Sequence, residues 1–156
     1  MRVELARTAG FCYGVRRAVQ LAEEAAGQGR PCVMLGPIIH NRDEISRLEA
    51  MGVGLAASME EIPEGSAVLI RSHGEGRAVH EALAARGCMV IDATCPNVSR
   101  IHGIVSQAEE EGRQVLIIGT PTHPEVAAIA GWCAHPVVLE GAEEAVEPAE
   151  RLEEAR

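Results

Sequence analysis

A chain of 156 residues with 47% apolar side chains and a formal net charge of −9 is long enough for one ordinary domain or two small α/β lobes. It holds one Trp, one Tyr and one Phe, so its core is aliphatic; no apolar run nears the roughly 18 residues of a membrane helix, and Glu4 interrupts any signal-peptide pattern, so a soluble cytoplasmic protein with no membrane partner is expected. Five cysteines without a C-x-x-C pair argue against a secreted disulfide framework or a zinc ribbon, and the absence of Lys and of any basic stripe argues against nucleic acid.

In chain order, Arg2 to Ala6 reads as a strand and Tyr13 to Ala26 as a helix ended by Gly27 and Gly29. Cys32 to Leu35 is a short apolar strand, followed by a helix from Asn41 or Arg42 to Ala50 and a short strand at Val53 to Ala56. A strand at Ala67 to Ile70 leads to a helix at Arg77 to Ala85, closed by Gly87. Cys88 to Ile91 is a strand before a helix at Pro96 to Glu111, and Val115 to Ile118 is a strand before a helix at Pro124 to Ala130. Pro136 to Leu139 is the last strand, and Ala142 to Glu154 a Glu-rich helix interrupted by Pro148. Short apolar strands alternating with helices predict an α/β fold of parallel sheets covered on their faces. A division near Cys95 gives a first lobe over residues 1–95 and a second, incomplete one over 96–156. The acidic end, with seven Glu and two Arg from Glu140 onward, leaves the body nearly balanced in charge.

The unusual residues fall at the junctions. Each of five segments placed between a strand and a helix holds a Cys or a His: Cys12 in GFCYG, His40 in GPIIHN, His73 in RSHGEG, Cys95 in DATCPN and His123 in GTPTHPEV. In a parallel sheet such junctions share the carboxyl edge, where ligands bind. Helix N-termini carry about half a positive charge and unpaired N–H groups, which favours negative charge at Cys12 and Cys95 and an anion such as phosphate near the three histidines. Glu125 adds one carboxyl able to handle protons.

Other residues have plainer readings. Cys32 and Cys88 lie in predicted strands, where a thiol behaves as a small hydrophobe. His80 and His102 fall within helices, as surface or core-edge residues, and Cys133 with His135 makes a weak pair. Asp92, Thr94 and Asn41 suit capping roles, Arg71 suits either a phosphate or a salt bridge, and Thr120 and Thr122 suit turn chemistry.

Taken together, AGFCYGVRRAV, GPIIHN, RSHGEG, DATCPNVSRIH and THPEV, in that order between Ala9 and Val126, resemble the 4-hydroxy-3-methylbut-2-enyl diphosphate reductase family. The resemblance implies lobes of the diphosphate-reductase type and an iron–sulfur oxidoreductase that removes a hydroxyl from an allylic diphosphate in the last step of non-mevalonate isoprenoid synthesis. It implies a [4Fe–4S] cluster held by three cysteines, with Cys12 and Cys95 as two of them. His40, His73 and His123 would bind the diphosphate, Glu125 would join the proton-delivery network, and a ferredoxin or flavodoxin would supply electrons. The family's third lobe, third cluster cysteine and Ser-x-Asn segment are expected beyond Arg156. The alternatives are a non-catalytic diphosphate-binding fragment without a stable cluster, and a zinc site built from separate junctions.

Overall fold

Four short apolar segments, too short and too β-branched to be helices, assemble into one sheet in the computed structural model, which describes residues 2–145. They are β1 (Cys32–Leu35), β2 (Val53–Ala56), β3 (Ala67–Ile70) and β4 (Met89–Asp92), in the spatial order β2-β1-β3-β4 and all parallel. The helices α1 (Tyr13–Ala26), α2 (Arg42–Ala50) and α3 (Arg77–Ala85) cover it.

Alternation along the strands feeds two cores. Cys32, Met34, Ala67 and Leu69 pack with Ala18, Ala22, Ile45 and Leu48 of α1 and α2. Leu35, Val68 and Ile70 pack with Leu83 of α3 on the opposite face. The buried stripe of α1 is mostly small (Gly14, Ala18, Val19, Ala22, Ala25), spaced so that one side lies close on its neighbours.

From α4 (Pro96–Glu110) the chain enters a smaller unit. Its strands β5 (Leu116–Ile118) and β6 (Val137–Leu139) form a two-stranded parallel sheet, with the short α5 (Pro124–Ala130) between them in sequence. Its core consists of Val105, Val115 and Ile129, flanked by Ala108, Ile117, Trp132 and Cys133. The parallel α/β architecture is therefore as expected, and most elements start and stop within a residue of their predicted bounds.

Two expectations differ from the structure. Arg2 to Ala6 is not a strand: the segment pairs with nothing among the described residues, and Val3 and Leu5 are 78% and 89% exposed. Alternation of apolar and polar residues specifies a face, but a strand also needs a partner edge to satisfy its backbone. The final helix is a single 3-10 turn at Ala142–Ala145 within the described residues, and the rest of the predicted span, with Pro148, lies outside them.

Strand order decides where a ligand can enter. From β1 the chain moves outward to β2, then returns past β1 to β3 and moves outward the other way to β4. The connections leaving β1 and β3 therefore diverge, and this switch point is where open α/β sheets form a crevice. Leu35 lies opposite both Ala56 and Ile70, so the strands finish level. Backbone bonding continues past the strand ends, with Ala93 N–H donating to Ile70 O (3.2 Å), Ser72 N–H to Ile38 O (3.1 Å) and Cys95 N–H to Ser72 O (2.9 Å). Three junction loops are thus held side by side.

Candidate functional site

His40 stands in the loop after β1 and His73 in the loop after β3, the two sides of the switch point. Their ring centroids are 4.7 Å apart. The third imidazole, His123, comes from the loop after β5 and meets His73 edge to face at 5.9 Å. Residues up to 83 positions apart in sequence are therefore gathered at one place, as the junction pattern predicts.

The three rings have different surroundings. His123 is the N-cap of α5, and its Nδ1 accepts the Glu125 N–H at 3.2 Å, which leaves Nε2 as the proton-bearing nitrogen of the neutral ring. His73 is half-buried, and its Nδ1 is buried without a hydrogen-bond partner. Burial, followed by the neighbouring His40, pushes its pKa down, while the Glu125 carboxylate opposes the shift. At the centre of the cluster is thus a buried ring nitrogen without a protein partner, a position that, as an N–H, donates to an incoming anion. His40 is exposed beside Asn41, whose Oδ1 accepts the Glu44 N–H at 3.0 Å and caps α2.

Between the histidines and the start of α1 lies a cavity of about 230 Å³, lined by Phe11, Val15, Ile39, His40, Asn41, Ser72 and His73. A larger groove of about 510 Å³ runs along α2 on the other side of His40 and is lined by one of the three histidines. The smaller cavity is lined by two of them, and neither is lined by a thiol. Phe11 lines it, whereas Tyr13 is 65% exposed.

The two thiols stand at helix starts. Cys12 is the N-cap of α1 and Cys95 the N-cap of α4, and neither side chain caps its own helix, so both sulfurs are left uncommitted. Gly14 brings the two helix starts together: a Cβ on it would sit 2.8 Å from Cys95 Sγ. Arg17 of α1 donates to Thr94 O (3.1 Å) and Asp92 O (3.2 Å), which locks α1 to the loop before Cys95. Asp92 Oδ1 accepts the Thr94 N–H (2.9 Å) and the Thr94 hydroxyl, so this pair shapes the loop. Cys12 follows an unpaired segment rather than a strand, so four of the five predicted junctions are true strand-to-helix junctions.

As a donor set the two thiols are incomplete. Among the described residues no group of three or more His, Cys, Asp or Glu is placed to hold a metal ion. Cys32 is buried in the sheet, where burial pushes its thiol pKa up, and Cys88 and Cys133 pack into other clusters. Arg71 pairs with Glu75 (2.6 Å) in a largely buried ion pair, while its Nε is buried without a partner.

His102 is more deeply buried than its place in a largely polar helix predicts. It is 5% exposed, stacks on Trp132 (centroids 5.2 Å, 21° between planes), and its Nε2 has no partner. Above it passes Gly74 with φ +79°, where a Cβ would lie 2.6 Å from His102 Cε1. The glycine in RSHGEG was the available signal, because a loop glycine with positive φ also permits close approach.

Fold and site together define a parallel α/β protein whose carboxyl-edge loops gather three imidazoles, with two thiols at the N-cap positions of α1 and α4. The chain matches the LytB protein family over residues 3–155 and belongs to that family. It is 40% identical over 152 residues to the 4-hydroxy-3-methylbut-2-enyl diphosphate reductase of Geobacter sp. (strain M21), covering 97% of this chain and 54% of that protein. It is 47% identical over 129 residues to the reductase of the same name from Aquifex aeolicus (strain VF5), covering 82% of this chain and 44% of the relative. A solved structure of (E)-4-hydroxy-3-methyl-but-2-enyl diphosphate reductase, described as the terminal enzyme of the non-mevalonate pathway, superposes with a TM-score of 0.83 at 43% identity, over 93% of this chain and 53% of the other. The chain thus spans about half the length of the curated relatives it matches. No helix among the described residues is long and apolar enough to cross a membrane.

Proposed function

We propose that this chain carries the diphosphate-binding face and part of the cluster-binding face of a 4-hydroxy-3-methylbut-2-enyl diphosphate reductase. The observation that carries this reading is the convergence of His40, His73 and His123, two of them from the loops that flank the switch point. Three imidazoles, one with an unsatisfied buried nitrogen, suit a compact polyanion, and a diphosphate is part of the substrate named for the relatives.

On this reading His40, His73 and His123 hold the diphosphate, with His123 donating through Nε2 because Glu125 N–H occupies Nδ1. Glu125, in the first turn of α5, passes protons to the departing hydroxyl. Removing that hydroxyl as water takes two electrons and two protons and yields isopentenyl or dimethylallyl diphosphate. Cys12 and Cys95 would be two of the three cysteine ligands of a [4Fe–4S] cluster, the third being expected beyond Arg156. Such a cluster, when bound, supplies the electrons and an open iron that acts as a Lewis acid. The electron donor is a small redox protein of the ferredoxin or flavodoxin class, the setting is the cytoplasm, and residues 1–95 and 96–156 form two lobes.

The incomplete thiol set favours a second reading for the isolated chain: diphosphate binding without a stable cluster. Calorimetric titration with inorganic pyrophosphate, followed by anaerobic reconstitution with iron and sulfide, tests both readings. Binding that weakens about tenfold or more in His73→Ala supports the diphosphate pocket, since the loss of one charge-assisted hydrogen bond has that size. Wild-type protein that ignores pyrophosphate, or His73→Ala protein that binds it equally well, sinks the proposal. Four irons and four sulfides per chain, lost in Cys12→Ser and Cys95→Ser, support cluster binding; pyrophosphate binding with no retained iron selects the second reading.

A further inference from the structure

The chain's one tryptophan lies outside the histidine pocket, yet it is tied to the loop that builds it. Trp132 follows Gly131, the C-cap of α5, and its Nε1–H donates to Glu75 O at 3.0 Å. Glu75 is two residues after His73 and closes the same loop through its ion pair with Arg71. Around the indole are His102, stacked at 5.2 Å, the Arg77 guanidinium at 5.6 Å from the ring centre and His80 at 5.7 Å.

The backbones meet here as well. Arg77 N–H donates to Gly131 O at 3.1 Å. A Cβ on Gly76 would lie 2.9 Å from Gly131 Cα, and one on Gly131 would lie 2.7 Å from Gly76 Cα, so the two glycines let the segments touch. At the other end of α5 is His123, facing His73. This helix of seven residues, about 10 Å long at 1.5 Å per residue, therefore contacts residues 73–77 at both ends.

We infer that Trp132 is a positioning residue for the histidine pocket: by seating the end of α5 on Glu75, it holds His123 in register with His73. Two observations make the seat rather than general packing responsible. The hydrophobic cluster of the smaller unit has three buried members, Val105, Val115 and Ile129, and α5 itself buries only Ala128 and Ile129, so packing alone constrains it weakly. The indole N–H is also directional, aimed at a carbonyl in the pocket loop itself. This inference rests on the diphosphate reading only where ligand affinity is concerned; the register of the two histidines is a property of the free chain.

The test uses the full chain with labelled histidines. In the wild type, the His73 and His123 ring protons should give nuclear Overhauser cross-peaks, and pyrophosphate should change the fluorescence of the single tryptophan. Trp132→Ala should lose the cross-peaks and bind pyrophosphate about tenfold more weakly. Trp132→Phe, which keeps an aromatic ring on His102 but lacks the donor, should show weakened cross-peaks and about threefold weaker binding, the scale of one hydrogen bond. Wild-type cross-peaks and affinity in Trp132→Ala overturn the inference. If that variant does not fold, Trp132→Phe decides, and wild-type values in it overturn the inference equally. Cross-peaks lost in Trp132→Ala while the wild type binds no pyrophosphate leave the positioning role standing and remove the diphosphate reading instead.

Discussion

The two units meet at one pocket but are built to different standards. In the four-stranded unit β3 is wholly buried, the sheet is covered on both faces, and Met34, Leu48, Leu69, Ile70 and Leu83 are fully enclosed. In the two-stranded unit β5 leaves Leu116 42% and Ile118 74% exposed. His40 and His73 thus rise from the buried central strands, whereas His123 stands on a thinner support and reaches them through contacts at the ends of α5. A site can be precise on one side and adjustable on the other, and local stability should follow the same division.

The sharpest way to break this comparison is to cut equivalent volume from each core. Leu69→Ala should cost about 4 kcal/mol, the upper range for a side chain whose surroundings cannot collapse. Ile129→Ala, at the edge of a small cluster, should cost about 2 kcal/mol. Urea denaturation monitored by circular dichroism checks the pair; equal losses would remove the distinction between the units. Gly74→Ala tests the seam between them. Its methyl group would meet His102 and Thr94 Cγ2 (3.1 Å) in a positive-φ conformation, so overpacking and backbone strain together should cost about 3 kcal/mol. A variant as stable as the wild type would mean that His102 is free to move aside.

The sheet, its helices and the junction histidines were legible because each is marked locally. Val68-Leu69-Ile70 is an uninterrupted apolar run before a glycine-rich loop, and Pro96 and Pro124 mark their helix starts. Arg2 to Ala6 carries an equally good alternation, but pairing is a property of two segments, and alternation within one of them does not specify its partner. His102 was hidden for a related reason. Its helix shows many polar residues, and nothing in RIHGIV says that a tryptophan thirty residues later will lie flat on its ring. Long-range seams between units leave few traces in local pattern, apart from the glycines that permit them.

The smallest expected effect concerns acid and locates the seam by titration. Burial pushes the pKa of His102 down, with His80 adding to the shift and Asp92 and Glu125 opposing it. His73 is shifted in the same direction, first by burial and then by His40. For each, the folded state binds a proton less readily than the unfolded chain, whose histidines titrate near ~6.5. Between the lowered folded value and ~6.5 the unfolded state therefore holds more protons, and stability rises with pH across that window. Acidification from neutrality through this range should lower the thermal midpoint by a few degrees, and the loss should level off once the folded rings also protonate. Asp92 and Glu125 are the negative groups that favour an imidazolium there, and they do not outweigh its burial. His102→Phe should therefore flatten part of the acid slope while leaving the His73 share in place. An acid slope identical in wild type and His102→Phe would place the proton-sensitive group in the histidine pocket rather than at the seam.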